Sequence, residues 1–352
     1  MKIAVLTGGG DSSAINAALR GIVFQAKKYG FELVGIKNGW AGLVNAEFTD
    51  LNEKTIENTL TRSGTVLGTS RTNPFKMDTV DAVVENIKKA GLDAFITIGG
   101  DDTNGVLNRL HDEKDEHING VGIPQTIDND ILGTEYAVGF DTSINMATTA
   151  IDTLRSTAES HCRVMVVEVM GRDAGHIALV AGVAGGAHEI LVPEEDFDLD
   201  KVCARLKKRH DEGCDYSIVV VAEGAKPKGA GQITQTEKKD AFGHAILGGI
   251  GQYLADVIEE KTGIESRFSN LGHLQRGGVP TALDRYMSIR FGVKAVDMIK
   301  DGDYGKLVAV VDGKLTSVPL KEGLAENKLI DMDVYHELNG LEYSSQPAKS
   351  KA

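Results

Sequence analysis

The stretch that decides the fold runs from AFITIGGDDT at residues 94–103 to INGVGIPQTIDND at residues 118–130. Each half opens with a short apolar run and ends in an acidic loop, GGDDT at 99–103 or PQTIDND at 124–130. An apolar run of this length predicts a buried strand. In an open α/β sheet, ligands bind where parallel strands end. Two acidic loops at such ends predict a site for Mg²⁺ and a phosphoryl group, because Mg²⁺ takes oxygen ligands and shares them with phosphates.

Strand-like runs alternate with helical patterns along the rest of the chain. Further strands are predicted at 2–7, 31–36, 163–170, 189–193, 216–224 and 306–311, and helices at 15–30 and 79–91. This alternation predicts an α/β fold with mainly parallel sheets covered by helices on both faces. The length of 352 residues favours two domains.

Composition narrows the class of protein. The chain is 41% hydrophobic and 25% charged, as in soluble globular proteins, and it contains no apolar run of membrane-spanning length. Its amino terminus enters KIAVLT directly, so we expect no signal peptide. The three cysteines (Cys162, Cys203 and Cys214) lack metal-ligand spacing and are expected to be reduced thiols in a cytoplasmic protein. The net charge of −13 argues against a nucleic-acid binder, which would carry a basic face.

A glycine-rich loop, TGGGDSS at 7–13, separates the first predicted strand from the first predicted helix. Glycines let backbone N–H groups approach an anion, and the start of a helix adds a positive partial charge. Ser12 or Ser13 is expected to cap that helix. The loop has neither dinucleotide-binding nor Walker A spacing. By itself, therefore, it fits an ordinary tight turn as well as it fits a phosphate-binding loop.

The acidic loops contain residue types suited to phosphoryl transfer, which needs a metal and a carboxylate that accepts a hydroxyl proton. A strand-like alternation over residues 126–130 would place Thr126, Asp128 and Asp130 on one side. One acid can then act as base while the other orients it. Asp101, after the neighbouring strand, is the candidate metal ligand.

Basic residues lie near strand ends in the second half of the chain, which is otherwise acidic. Arg163 and Arg172 flank the strand in RVMVVEVMGR, and Glu223 ends another strand. The segment RFSNLGHLQRGG at 267–278 adds two arginines and a histidine. The arginine guanidinium group binds phosphate oxygens through two parallel hydrogen bonds, and the glutamate carboxylate accepts hydrogen bonds from sugar hydroxyls. These residues therefore predict a sugar-phosphate pocket.

Together these motifs resemble the ATP- and pyrophosphate-dependent phosphofructokinase family, over roughly residues 2–341. The motifs that carry the resemblance are GGGD (8–11), GTSR (68–71), GGDDT (99–103), TIDND (126–130), SHCRVMVVEVMGR (160–172), AEG (222–224) and LGHLQRGG (271–278). The resemblance implies two Rossmann-like three-layer α/β/α domains with the active site in the cleft between them. The donor and Mg²⁺ domain is expected at 1–138 plus 275–326, the sugar-phosphate domain at 139–274 plus 327–343, and a disordered tail at 344–352.

The resemblance also implies roles for individual residues. Asp128 would deprotonate the sugar 1-hydroxyl, Thr126 and Asp130 would position substrate and base, and Asp101 would hold Mg²⁺. Residues that would contact the donor are Gly10, Arg71, Asp102, Thr103 and Gln125. Residues that would bind the sugar phosphate or the transferring group are Met170, Gly171, Arg172, Glu223, His273 and Arg276. Arg163 and Arg267 resemble a pair that reaches in from an adjacent subunit, which implies a homodimer or homotetramer with shared active sites.

The donor side departs from the family pattern. ATP-dependent members usually carry Gly at the Asp102 position, where a charged side chain would fill the space of an α-phosphate and repel it. Asp102 therefore favours pyrophosphate, whereas Gln125 stands where pyrophosphate-dependent members place Lys. Ser13 and Ala14 stand where the family commonly has Pro and Gly, and the Ala14 methyl is expected near the donor.

The function expected is reversible phosphorylation of fructose 6-phosphate by pyrophosphate, a glycolytic step. Alternatives are ATP as donor, another phosphoketose such as sedoheptulose 7-phosphate as acceptor, and a non-catalytic sugar-phosphate-binding homologue. Arg20 and Arg155 match the effector site of bacterial members, but Phe24, Glu212 and Cys214 replace its cations. We therefore expect no strong control by ADP or phosphoenolpyruvate. The polar segment 224–243 is expected to be a surface loop.

Overall fold

A computed structural model of the protein describes residues 1–113, 118–213, 215–229, 231, 234–239 and 245–340. The chain forms two compact units, Met1–Ser143 with Arg276–Lys328, and Ile144–Gln275 with the chain from Leu329. Cys214, the predicted tail and part of the predicted loop at 224–243 lie outside the described residues. Within the described part of the chain, no helix is long and apolar enough to cross a membrane.

Thirteen strands and eleven α-helices are described. The strands are β1 Lys2–Thr7, β2 Glu32–Ile36, β3 Phe48–Asp50, β4 Ala94–Gly99, β5 Gly120–Pro124, β6 Val164–Val169, β7 Glu189–Leu191, β8 Ser217–Ala222, β9 Thr234–Lys239, β10 Ala245–Leu247, β11 Ser266–Asn270, β12 Lys306–Val311 and β13 Lys314–Pro319. The helices are α1 Ile15–Tyr29, α2 Trp40–Val44, α3 Val80–Ala90, α4 Asp101–Asp112, α5 Phe140–Ser160, α6 His176–Ala184, α7 Leu199–Asp211, α8 Ile250–Thr262, α9 Ala282–Lys300, α10 Leu320–Gly323 and α11 Met332–Leu338.

The first unit is built on a seven-stranded sheet in the order β13-β12-β5-β4-β1-β2-β3. Its five central strands are parallel, and β3 and β13 pair antiparallel at the two edges. Alternate residues of β1 enter two different cores: Ile3 and Val5 pack with α1 and α9, whereas Ala4 and Leu6 pack with α3 and α4. This period of two explains why a continuous apolar run forms a strand buried on both faces. The predicted α/β class with mainly parallel sheets is confirmed.

The second unit has a four-stranded parallel sheet in the order β11-β6-β8-β7. Side chains of β6 and β8 form one core with α7 and α8. Strands β6 and β8 run side by side, with Val169 opposite Ala222. The loops that follow these two strands therefore leave the sheet at the same edge, which is where the second group of predicted site residues lies.

Candidate active site

The glycine-rich loop after β1 is held by backbone hydrogen bonds to the segments around it. Gly8 N–H donates to the Ile98 carbonyl and Gly9 N–H to the Ser70 carbonyl, both at 3.0 Å. A Cβ at Gly8 would lie 2.6 Å from Oγ1 of Thr103, so only glycine fits at this position. Thr103 is one of the residues predicted to contact the phosphoryl donor. The loop and the first turn of α4 therefore meet, as the phosphate-binding interpretation requires.

Gly10 lies next to two other predicted site residues. The Gln125 amide donates to the Gly10 carbonyl at 3.0 Å, and a Cβ at Gly10 would collide with the Arg276 guanidinium. Arg276 itself donates from Nη1 to the Asp11 carbonyl at 3.0 Å. Gln125 thus holds the glycine loop through its amide group, while its buried Oε1 has no hydrogen-bond partner. The structure places Arg276 at the donor loop, although its motif predicts a sugar-phosphate contact.

Two predictions about this loop are wrong. Neither Ser12 nor Ser13 caps α1, because the Ser12 hydroxyl donates to the Val138 carbonyl and the Ser13 hydroxyl to the Gly277 carbonyl, at 3.3 and 2.7 Å. The Ala14 methyl, expected near the donor, has no exposed surface with which to contact a ligand. Ala14 is fully buried in the core formed with α9, so this departure from the family pattern affects packing.

The acidic segment after β5 is a turn, so the predicted strand-like alternation over residues 126–130 is wrong. Asp128 N–H donates to the Thr126 hydroxyl oxygen at 3.2 Å, and Asn129 has a φ of 53°. A side-chain hydrogen bond to the following backbone and one left-handed residue curl the chain where a strand would extend it. The turn nevertheless brings its polar side chains together, because the Thr126 hydroxyl hydrogen-bonds the Asp130 carboxylate.

Three carboxylates of the first unit interact electrostatically. Burial and the negative charges of Asp128 and Asp101 together raise the pKa of Asp130 to about 7, against the lowering effect of its hydrogen bonds. A carboxyl group whose pKa is raised by like charges is characteristic of a catalytic site. Asp101, the exposed first residue of α4, therefore lies within electrostatic reach of the acidic turn, as predicted.

The carboxylate oxygens available at this site fit Mg²⁺ as ligands. Asp101 offers carboxylate oxygens beside a glycine loop suited to phosphates, and a second carboxylate lies close by. Among the described residues, no group of three or more His, Cys, Asp or Glu side chains converges as a metal cage. Mg²⁺ is usually held by one or two carboxylates together with phosphate oxygens and water, so it needs no such cage.

Sequence reasoning missed three basic or amide side chains at this site. Asn73 and Lys76 bind Asp102 with their side-chain nitrogen atoms, at 2.9 and 3.2 Å from Oδ1. The Lys328 backbone N–H donates to the Asp130 carbonyl at 2.8 Å, and the charge of Asp130 acts on its ammonium group. No local pattern could have found these pairs, because their members lie far apart in the sequence. Arg71, two residues before Asn73, is exposed.

In the second unit, the loops after β6 and β8 gather most of the predicted sugar-phosphate residues. Met170, Gly171 and Arg172 follow β6, and Glu223 follows β8 and donates its N–H to the Val169 carbonyl at 2.8 Å. Met170 N–H donates to Oε1 of Gln275 at 3.3 Å, which joins the loop containing the exposed His273 to the same edge.

Arg163 and Arg267 lie at the opposite end of this sheet. Arg163 precedes β6, Arg267 is the second residue of β11, and both contact Glu265, at 3.7 and 2.8 Å. The structure therefore separates this pair from Met170 and Glu223 by the length of a strand. Arg163 and Arg267 would therefore not bind the same phosphate as Met170 and Glu223 of their own chain.

The phosphofructokinase family model matches residues 2–299. The chain belongs to the phosphofructokinase family. A pyrophosphate–fructose 6-phosphate 1-phosphotransferase of Streptomyces coelicolor is 47% identical, over 96% of this chain and 98% of that protein. An ATP-dependent 6-phosphofructokinase of Corynebacterium efficiens is 43% identical, over 95% of this chain and 96% of that protein. The crystal structure of Pichia pastoris phosphofructokinase in the T-state is similar with a TM-score of 0.81 at 30% identity, over 92% of this chain and 35% of that longer chain.

Membership of the phosphofructokinase family confirms the resemblance that the motifs GGDDT, TIDND and LGHLQRGG indicate. Pyrophosphate-dependent and ATP-dependent relatives both match almost the whole chain, and the relatives with the higher identities are pyrophosphate-dependent.

Proposed function

We propose that the protein transfers a phosphoryl group from pyrophosphate to the 1-hydroxyl of fructose 6-phosphate, giving fructose 1,6-bisphosphate and phosphate. The observation that carries this proposal is the cluster of Asp101, Asp128 and Asp130 beside a glycine loop, in a chain of the phosphofructokinase family. Four relatives of 46–48% identity are named for this reaction, which supports pyrophosphate as the donor.

Asp128 is the base in this reaction. It accepts the proton of the 1-hydroxyl as that oxygen attacks phosphorus, the bond to the leaving phosphate breaks, and phosphate departs with the bond electrons. Thr126 and Asp130 hold Asp128 and the sugar in place. Asp101 would hold Mg²⁺, and the metal would supply charge neutralisation for the transferring group. Because the donor and product bonds are similar in energy, the reaction is reversible.

The other predicted residues bind the two substrates. Gly10, Arg71, Thr103 and Gln125 contact pyrophosphate, and Arg172 holds the transferring group. The residues that bind the sugar phosphate are Met170, Gly171, Glu223 and His273, together with Arg163 and Arg267 from a neighbouring subunit. Arg276 contacts the sugar phosphate from its place beside Gly10 at the donor loop. We place the protein in the cytoplasm as a homodimer or homotetramer.

An aldolase-coupled assay with fructose 6-phosphate and Mg²⁺ tests this function, with pyrophosphate, ATP and ADP compared as donors. We expect turnover with pyrophosphate, and loss of roughly 10²–10⁴-fold in kcat for Asp128→Asn because the base is removed. The same variant should still bind fructose 6-phosphate in calorimetry. Asp112→Asn, at the exposed end of α4, is the matched control. Phosphorylation by ATP alone would refute the choice of donor, and sugar binding without turnover of any donor would favour the non-catalytic alternative.

A further inference from the structure

The turn after GTSR is attached to the first turn of α4 through one carboxylate oxygen. Asn73 Nδ2 donates to Oδ1 of Asp102 at 2.9 Å, and Lys76 Nζ lies 3.2 Å from the same oxygen. The Asp102 side chain is only 27% exposed, so these bonds form in a partly desolvated place. We call the Asn73 and Lys76 side chains the 73–76 clamp.

The clamp is prearranged by its own backbone. Oδ1 of Asn73 accepts the N–H groups of Phe75 and Lys76 at 3.0 and 3.3 Å, which closes an Asx turn and leaves Nδ2 directed at Asp102. Between the clamp residues, the Phe75 ring stacks under the Arg109 guanidinium, 3.7 Å from the ring centroid. Asp102 and Arg109 are seven residues apart on α4 and so share a helix face. The whole turn is therefore fixed along that face.

The clamped carboxylate lies at the rim of the candidate donor loop. Thr103, the next residue of α4, abuts Gly8, and the Ser70 carbonyl, three residues before Asn73, accepts the N–H of Gly9. A free aspartate on the first turn of a helix can change rotamer and move aside for a larger ligand. Two hydrogen-bond donors on one oxygen oppose that movement.

We propose that the 73–76 clamp is a donor-specificity element, which holds the Asp102 carboxylate where a nucleoside triphosphate would place its α-phosphate while leaving room for pyrophosphate. This inference rests on the proposed function. It assigns selectivity to Asn73 and Lys76, neither of which needs to touch pyrophosphate. Removal of either clamp residue lets Asp102 swing away, so use of ATP rises relative to use of pyrophosphate.

The test is the ratio of kcat/KM for ATP to kcat/KM for pyrophosphate in purified full-length variants. Asn73→Ala removes one of the two hydrogen-bond donors to Asp102 without changing the net charge. We expect it to raise the ratio by on the order of 10-fold. Lys76→Met should also raise the ratio, whereas Lys76→Arg should retain the selectivity of the unmodified protein. Lys89→Met is the matched control, because Lys89 is an exposed lysine of α3 paired with Glu85.

A double-mutant cycle separates the clamp from a general effect on the turn. In an Asp102→Gly background the clamp has no carboxylate to hold, so Asn73→Ala should leave the ratio unchanged. An unaltered ratio in Asn73→Ala and Lys76→Met, or an equal rise with and without Asp102, would overturn the inference. If thermal unfolding shows that Asn73→Ala does not fold, Lys76→Met is measured with and without Asp102→Gly instead, and that cycle tests the inference. Failure of the unmodified protein to use pyrophosphate refutes the proposed function instead.

Discussion

Asp130 reduces the stability of the fold at neutral and alkaline pH. Its pKa is raised to about 7 by burial and by the charges of Asp128 and Asp101, whereas an unfolded aspartate titrates near 3.9. Between these values the folded protein keeps a proton that the unfolded chain has lost. Stability therefore falls as pH rises from about 4 to 7, and the loss is complete above 7. Such a residue is expected where a site gathers charge for function.

Asp130→Asn should therefore stabilise the protein while weakening its activity. The amide cannot ionise, so we expect the free energy of unfolding at pH 8 to rise by about 2–4 kcal/mol. Urea denaturation at pH 5 and pH 8 measures this, since the gain should be much smaller at the lower pH. Loss of stability at pH 8 would show that the hydrogen bond from Thr126 outweighs the charge repulsion.

His188 contributes a pH dependence of opposite sign. It is buried, its Nδ1 accepts the Ile218 N–H at 2.8 Å, and burial together with the charges of Arg209 and Arg155 lowers its pKa to about 3. In the unfolded chain this histidine takes up a proton near pH 6.5, whereas in the folded protein it stays neutral until about pH 3. Its contribution to the free energy of unfolding therefore has its full value above pH 6.5 and decreases as pH falls toward 3.

His188→Gln should remove that dependence. Glutamine stays neutral, so between pH 7 and 5 the unmodified protein should lose about 2 kcal/mol more stability than the variant does. Paired urea denaturation curves at the two pH values give this difference. Equal losses in both proteins would mean that His188 already becomes protonated in the folded state.

At the scale of elements, α1 and α9 approach so closely that glycine is required in both. A Cβ at Gly21 of α1 would collide with the Ile289 carbonyl, and a Cβ at Gly292 of α9 would collide with the Ala18 carbonyl. These helices form one face of the first unit's core, so a change in their spacing affects the sheet beneath them.

Gly292→Ala should accordingly destabilise the first unit by about 1–3 kcal/mol, as overpacking of a core does. Gly105 is the internal control, because it lies within α4 and a Cβ there would meet no atom within 4 Å. Gly105→Ala should stabilise by about 0.5–1 kcal/mol, since alanine is the better helix former. Thermal unfolding of both variants measures the contrast, and a stabilising Gly292→Ala would contradict the close approach.

The elements show what the sequence can and cannot predict. Apolar runs gave the central strands to within about two residues, because burial on both faces leaves a local pattern. The turn at 126–130 was missed, since it depends on a Thr126 side-chain bond and on the left-handed Asn129. The contacts of Asp102 with Asn73 and Lys76 were missed for another reason. They join segments more than 25 residues apart, and only the tertiary fold brings them together.

Regulation belongs to the scale of the whole molecule. Arg155, which the sequence resemblance assigns to an effector-site position, donates to the Tyr216 hydroxyl at 2.9 Å and to the Gly185 carbonyl. Glu212 pairs with Lys208 at 3.8 Å, and Cys214 lies outside the described residues. An arginine bonded within its own unit is a poor ligand for a nucleotide phosphate. The expected insensitivity to ADP and phosphoenolpyruvate remains a prediction.

Arg163 and Arg267 bear on how many chains one active site needs. They lie at the end of the second unit's sheet opposite Met170 and Glu223. Parallel strands carry their ligand-binding loops at the carboxyl end, so arginines at the amino end cannot complete the same phosphate site. Arg267 is half-exposed, and its described contacts are with Glu259, Glu265 and the Ser266 carbonyl of its own chain. This placement favours a role in the site of a second copy.

A chain-mixing experiment decides this question. Asp128→Asn and Arg267→Glu should each be nearly inactive, the first through loss of the base and the second through a higher KM for fructose 6-phosphate. If each site takes its base from one chain and its arginine from another, a mixed pair holds one intact site of two. Random reassociation of equal amounts should then restore about a quarter of the unmodified activity. Sites contained in single chains would give no recovery, because every site would keep one defect.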